Sequence, residues 1–151
     1  MVIIYLLRHA ESAPDLRFAE ADWLLSIRGE AQARALIPVL ERLGIERIVS
    51  SPYLRAQHSV LPFATQVGLE IAIEPDLRER KLVVGLNDNW EELIRRAWAD
   101  FNFCAPGGES GASCQRRMAA VLTDGWLRRL RNPPLPATCC LARMATLSAC
   151  T

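Results

Sequence analysis

Short apolar runs alternate with longer segments of helical periodicity in the first half of the chain. The run 2–7, Val-Ile-Ile-Tyr-Leu-Leu, and the runs 45–49 and 69–73 are typical of buried strands in a parallel sheet. Between them, apolar residues recur at helical spacing over 31–43 and 53–67, and a glycine follows each helical segment. The order strand, helix, strand, helix, strand predicts an α/β fold with right-handed crossovers between parallel strands.

The second half of the chain changes character twice. Residues 75–89 look irregular, a helical pattern covers 90–103, and a further helix is expected from Glu109 to about Leu130. Beyond a proline-rich turn, the tail shows neither clear periodicity nor an apolar strand core. We therefore expect one domain over residues 1–131 and an atypical tail over 132–151, in which the last strand of the sheet is missing or altered.

Composition narrows the class of protein. The chain has 151 residues, of which 50% are hydrophobic and 23% charged, and these values indicate one globular domain. A net charge of +1 argues against a nucleic-acid partner, and no apolar run is long enough to span a membrane. Residues 1–7 lack the features of a signal peptide, so we expect a cytoplasmic protein. Five cysteines without C-x-x-C spacing and two histidines argue against a metal site, and we expect no cofactor.

Candidate chemistry lies where the predicted strands end. Arg8 and His9 follow the first strand, Arg55 lies in the first helical turn after the second, and Glu79 lies in the loop after the third. Ligands of open α/β sheets bind at this edge. Two guanidinium groups can hold a phosphate, a histidine can accept the phosphoryl group, and a carboxylic acid can protonate the leaving oxygen. These residues predict a phosphoryl-transfer site.

Four segments in order resemble the histidine phosphatase superfamily, the phosphoglycerate mutase-like enzymes with an Arg-His-Gly signature. Segment 7–12 reads Leu-Arg-His-Ala-Glu-Ser, and segment 25–33 reads Leu-Ser-Ile-Arg-Gly-Glu-Ala-Gln-Ala. Segment 50–57 reads Ser-Ser-Pro-Tyr-Leu-Arg-Ala-Gln, and segment 107–110 reads Gly-Gly-Glu-Ser. One such motif is weak support, whereas four in the family's order are strong.

The resemblance implies a three-layer α/β/α sandwich with a mainly parallel sheet, and it assigns roles to the candidate residues. His9 is the implied nucleophile, which carries the phosphoryl group. Arg8 and Arg55 bind phosphate, and Ser12 helps to line the pocket in some members. Glu79 falls where many members carry the proton donor. The implied partner is a small phosphorylated substrate or a phosphohistidine protein.

Several of these residues also have an ordinary structural interpretation. Glu79 lies among basic residues and could belong to an exposed loop of ion pairs, and Glu109 with Ser110 could simply begin a helix. His58 stands where relatives usually have glutamine, so we assign it no catalytic role. The four tryptophans are expected to be packing anchors rather than substrate platforms: Trp23, Trp90, Trp98 and Trp126.

The family's second histidine is missing. It lies in a Ser/Thr-His-Gly block after a late strand, whereas this sequence has no histidine after His58. Codons for Ala142–Ser148 can spell Ser-His-Gly when they are read from the third base of the first codon, and Met144 followed by Ala145 forces the glycine. We therefore interpret the tail as the product of a reading-frame shift between roughly Thr123 and Thr138.

Two functions remain open on this sequence. The first is a phosphatase that hydrolyses phosphate monoesters, or protein phosphohistidine, through a phosphohistidine on His9, with activity reduced by the missing histidine. The second is an inactive phosphate-binding remnant. A mutase is disfavoured because the chain is short, and a dinuclear-metal phosphatase is a remote third option.

Overall fold

The computed structural model describes residues 3–82, 89–126 and 138–143. The chain forms two compact units. The first contains residues 3–78 together with 138–143, and the second contains the described residues between 79 and 129.

A parallel sheet of four strands organises the first unit. The strands are β1 (Ile3–Arg8), β2 (Arg47–Ser50), β3 (Ile71–Ile73) and β4 (Thr138–Arg143). They lie in the order β1-β4-β2-β3, and each neighbouring pair is parallel. The α/β class and the parallel sheet predicted from the alternating pattern are thereby confirmed.

The tail does contain a strand. β4 pairs with β1 on one side, with Ile3 opposite Thr138, and with β2 on the other, with Arg47 opposite Cys139. Of the two expectations for the last strand, missing or altered, the second holds, because the strand is present and has an atypical sequence. Between β1 and β2, both neighbouring strands offer backbone donors and acceptors to the tail. Because this pairing joins segments that are distant in the chain, the periodicity of the tail alone does not reveal the strand.

Three helices complete the first unit: α1 (Ile27–Ala35), α2 (Ile37–Arg42) and α3 (Leu54–Val67). The pattern predicts one helix over 31–43, whereas the structure has two, because Pro38 lies in the first turn of α2 and supplies no backbone N–H. Ser26 caps α1 by accepting a hydrogen bond from the Gly29 backbone N–H. Gly68 ends α3 with a φ of 72°, as the sequence predicts.

Helix α3 carries much of the core of the first unit. Its buried residues Val60, Phe63 and Ala64 pack with Ile48 of β2 and with apolar residues of and after α2. Burial of these side chains fixes the helix beside the strand ends, where its first turn carries Arg55. The buried members of the cluster are Leu40, Ile45, Ile48, Val60, Phe63 and Ala64.

The second unit contains helices α4 (Trp90–Ala99) and α5 (Gly111–Ala120), and α5 continues into a π-helical segment, Val121–Trp126. The expected continuation to Leu130 lies outside the described residues. Ser110 caps α5 by accepting a hydrogen bond from the Ser113 backbone N–H. A Cβ atom on Gly108 would lie 2.7 Å from the Leu82 carbonyl oxygen, so only glycine allows this approach of two backbone segments.

Candidate active site

His9 follows β1 directly and has a defined proton arrangement. Its Nδ1 atom lies 2.6 Å from the carbonyl oxygen of Ala10. Because a carbonyl oxygen can only accept, Nδ1 carries the hydrogen and donates it. In the neutral imidazole the lone pair is then on Nε2, which is the nitrogen available to attack phosphorus.

The surroundings of His9 favour its neutral form. Partial burial lowers the pKa of the imidazole, and the positive charges of Arg55 and Arg8 lower it further. The hydrogen bond to Ala10 acts in the opposite direction, and the net pKa is below that of an unperturbed histidine. The lowered pKa therefore favours the neutral imidazole at neutral pH, with its lone pair on Nε2.

Arg55 lies in the first turn of α3, and its side chain is only 3% exposed. One terminal nitrogen, Nη1, donates to the Glu20 carbonyl oxygen at 2.7 Å, and Nη2 donates to the Glu20 carboxylate at 2.9 Å. The guanidinium also lies over the rings of Tyr53, at 4.7 Å from the centroid, and Trp23, at 5.8 Å. These contacts hold a buried cation close enough to His9 for its charge to lower the pKa of the imidazole.

Ser59 joins the histidine segment to α3, and sequence reasoning overlooked it. The side chain is 1% exposed, and its hydroxyl oxygen accepts a hydrogen bond from the Ala10 backbone N–H at 2.8 Å. The same hydroxyl donates to the Arg55 carbonyl oxygen at 2.6 Å. The only signal in the sequence is its position four residues after Arg55, on the same face of the helix.

Two of the family-like segments pack against each other behind His9. The Glu11 backbone N–H donates to the Gln32 side chain at 2.9 Å, and the Ser26 hydroxyl donates to the Glu11 carboxylate at 2.6 Å. A Cβ atom on Gly29 would lie 2.0 Å from the Glu11 carbonyl oxygen. The start of α1 therefore fixes the backbone that follows His9.

Arg8 and Ser12 occupy the two ends of this segment. Arg8 is the last residue of β1 with an exposed side chain, and its charge acts on His9. Ser12 is held by an isolated antiparallel bridge to Leu25. The first unit thus brings Arg8, His9 and Arg55 together, whereas the substrate-binding role of Ser12 stays a prediction.

The expected proton donor, Glu79, begins the second unit and is half-buried. Its role as a donor stays a prediction. His58 is a half-buried residue of α3 and has no part in the contacts around His9 described above. Trp23 donates from its indole nitrogen to the Asp15 carbonyl oxygen at 2.9 Å, so it both fixes its segment and contacts Arg55.

Glu109 has a structural function within the second unit. Its carboxylate makes a two-point ion pair with Arg117, with Nε–Oε1 at 3.0 Å and Nη2–Oε2 at 2.6 Å. The two side chains are 17% and 9% exposed. Together with the Ser110 cap, this pair stabilises the start of α5. The structure therefore supports the interpretation of Glu109 and Ser110 as residues that begin a helix.

Among the described residues, no helix is long and apolar enough to cross a membrane. No group of three or more histidine, cysteine, aspartate or glutamate residues in that part of the chain is placed to hold a metal ion.

Comparison with known proteins gives a consistent family. The family model described as the histidine phosphatase superfamily, branch 1, matches residues 4–132. The probable phosphoglycerate mutase GpmB of Enterobacter sp. (strain 638) is 30% identical over 137 residues, which cover 82% of this chain and 63% of the relative. The probable phosphoglycerate mutase GpmB of Escherichia fergusonii is 28% identical, also over 82% of this chain and 63% of the relative. The chain therefore spans less than two thirds of the length of these curated relatives.

Solved structures show the same fold. A mycobacterial glucosyl-3-phosphoglycerate phosphatase in complex with inorganic phosphate has a TM-score of 0.73 and 25% identity, over 91% of this chain and 70% of that one. The protein TTHB049 of Thermus thermophilus has a TM-score of 0.57 and 27% identity, over 93% and 77%.

Proposed function

Because this chain belongs to the histidine phosphatase superfamily, we propose that it hydrolyses phosphate monoesters through a phosphohistidine formed on His9. The observation that carries the proposal is the state of His9. Its Nδ1 hydrogen is fixed on the Ala10 carbonyl oxygen, its pKa is lowered, and the cations Arg8 and Arg55 act on it. A free Nε2 lone pair beside two guanidinium groups suits attack on a phosphoryl group.

The proposed reaction has two displacements. In the first, Nε2 of His9 forms a bond to phosphorus as the bond from phosphorus to the ester oxygen breaks, and the leaving oxygen takes a proton. Glu79 is the proposed donor of that proton. In the second, water attacks the phosphohistidine, inorganic phosphate leaves, and the proton given up by the water restores the donor. Arg8 and Arg55 offset the negative charge of the transferring group throughout.

The substrate proposed here is a small phosphate monoester, with protein phosphohistidine as a special case of the same chemistry. The curated relatives named above are probable phosphoglycerate mutases, and a structural relative is a glucosyl-3-phosphoglycerate phosphatase. We propose hydrolysis for this chain. Water can accept the phosphoryl group without a further residue to bind it.

A second candidate, an inactive phosphate-binding remnant, is favoured by one observation. Residues 59–151 contain no histidine, whereas the family carries a second histidine after a late strand. A site without that cation loses stabilisation of the transferring phosphoryl group, and removal of one such group commonly lowers the rate by about 10²–10³.

Turnover of an aryl phosphate by the purified chain distinguishes the two candidates. If the chain is a phosphatase, we expect measurable release of the phenol. This release is abolished in His9→Ala and retained in the matched control His58→Ala. A folded wild-type protein that binds inorganic phosphate without any turnover supports the remnant. Equal turnover in wild type and His9→Ala would contradict the proposed nucleophile.

A further inference from the structure

The carboxylate of Glu20 occupies an unusual place for a site that takes phosphate. It accepts from Nη2 of Arg55 at 2.9 Å, and the Glu20 backbone oxygen accepts from Nη1 at 2.7 Å. Arg55 is 3% exposed, whereas the Glu20 side chain is 48% exposed. A negative charge at the solvent side of the buried cation therefore lies beside any phosphate that this cation holds.

The segment that carries Glu20 adds more negative charge. Residues 13–24 contain three carboxylates, Asp15, Glu20 and Asp22, against one guanidinium, Arg17. Arg17 is already engaged, because its Nε and Nη2 atoms donate to the Asp15 carboxylate. The position of the segment is fixed by Trp23, which donates to the Asp15 carbonyl oxygen and lies against Arg55. The excess charge is therefore held next to the site.

We infer that Glu20 makes the site select phosphate monoesters of uncharged alcohols and disfavour substrates with a second anionic group, such as a carboxylate, near the phosphate. The inference rests on the proposed phosphate site at Arg55 and specifies its substrate class. The positive charges of Arg8 and Arg55 attract the phosphoryl group itself. A second anionic group on the side of Glu20 meets the carboxylate of that residue.

Binding of two matched phosphonates tests the inference without requiring turnover. Propylphosphonate and 3-phosphonopropionate share the phosphonate group and the chain length, and only the second ends in a carboxylate. Isothermal titration calorimetry gives the ratio of their dissociation constants for wild type, Glu20→Gln and Asp22→Asn. Asp22 is exposed and lies on the same short 3₁₀ turn as Glu20, so it is a matched control for a lost charge.

We expect wild type to bind propylphosphonate more tightly and Glu20→Gln to shift the ratio toward 3-phosphonopropionate by about three- to tenfold, as for two charges several ångströms apart in a water-like dielectric. Asp22→Asn is expected to leave the ratio within about twofold of wild type, because the ion pair with Arg55 holds the charge of Glu20 at the site, whereas a charge farther along the turn is screened. The ratio stays informative if Glu20→Gln also weakens both ligands through Arg55.

Two results would overturn the inference. An unchanged ratio in Glu20→Gln, in a protein that still hydrolyses an aryl phosphate, removes the role of Glu20 and leaves the proposed function intact. An equal shift in Asp22→Asn assigns the effect to the segment as a whole and not to Glu20. Failure of wild type to bind either phosphonate contradicts both the phosphate site and the inference.

Discussion

His9 illustrates how burial and neighbouring cations combine on one side chain. Both lower its pKa, and the hydrogen bond to Ala10 opposes them without cancelling them. The folded state therefore binds a proton on His9 less readily than the unfolded state does. The contribution of His9 to stability is fully present above the unfolded pKa and is lost as pH falls to the folded pKa.

Proton NMR of the imidazole ring checks this directly. The chain contains two histidines, so His58→Gln leaves the ring signals of His9 alone. We expect His9 to titrate below an unperturbed histidine, and any phosphatase rate limited by attack of Nε2 to reach a plateau before about pH 7. A titration midpoint above that of an unperturbed histidine would contradict the proposed neutral nucleophile.

Ser59 joins the segment after His9 to α3, since it accepts from the Ala10 backbone N–H and donates to the Arg55 carbonyl oxygen. Ser59→Ala leaves the buried Ala10 N–H without its partner, and we expect a loss of about 1–3 kcal/mol in the free energy of unfolding. Urea denaturation measures it. The pKa of His9 should also move, because the Ala10 carbonyl that fixes the ring is no longer held. Ser59→Thr keeps the hydroxyl and should restore the wild-type pKa of His9, and a Ser59→Ala protein with unchanged stability and pKa would refute the role.

At the scale of elements, the start of α1 fixes the backbone after the nucleophile. Gly29 lies in the first turn of α1, where helix propensity alone predicts that alanine stabilises by about 0.5–1 kcal/mol. A Cβ atom there would lie 2.0 Å from the Glu11 carbonyl oxygen, and that atom belongs to the backbone and cannot rotate away. The clash should exceed the propensity gain, so the sign of the effect decides between them.

We expect Gly29→Ala to lower the free energy of unfolding by about 1–3 kcal/mol and to weaken inorganic phosphate binding. Thermal and urea denaturation give the first quantity, and calorimetry gives the second. Glu30→Ala on the next position of α1 is the control, because Glu30 is exposed and its ion pair with Arg34 is a surface pair. A Gly29→Ala protein more stable than wild type would show that α1 does not constrain the Glu11 backbone.

The sequence predicts elements whose signals are local and misses contacts that are not. The strands β1 to β3, the helix α3 and its Gly68 end follow from periodicity and turn chemistry. The split of the helix at Pro38 was available from the proline itself. By contrast, β4 depends on two neighbours distant in the chain. Glu20 contacts Arg55 across 35 positions, and Ser59 contacts Ala10 across 49 positions. Contacts between residues so far apart in the chain produce no local pattern in the sequence.

At the scale of the whole molecule, the departure of the tail coincides with the end of the family match at residue 132. We propose that a shift of reading frame between roughly Thr123 and Thr138 accounts for the lack of a histidine after His58 and for the cysteine-rich strand sequence. Sequencing the DNA over this interval is expected to show codons for Ser-His-Gly out of frame across 142–148. Codons that spell no such block in either alternative frame would exclude the explanation.

We propose that His9 carries the phosphoryl group during turnover, and chemical trapping of the phosphorylated protein shows whether it does. The chain is mixed with a radiolabelled aryl phosphate, quenched in alkali and analysed for label retained on the protein. We expect alkali-stable, acid-labile label on wild type and on His58→Ala, and none on His9→Ala. Label that persists in His9→Ala, or turnover without any labelled protein under rapid quenching, would contradict it.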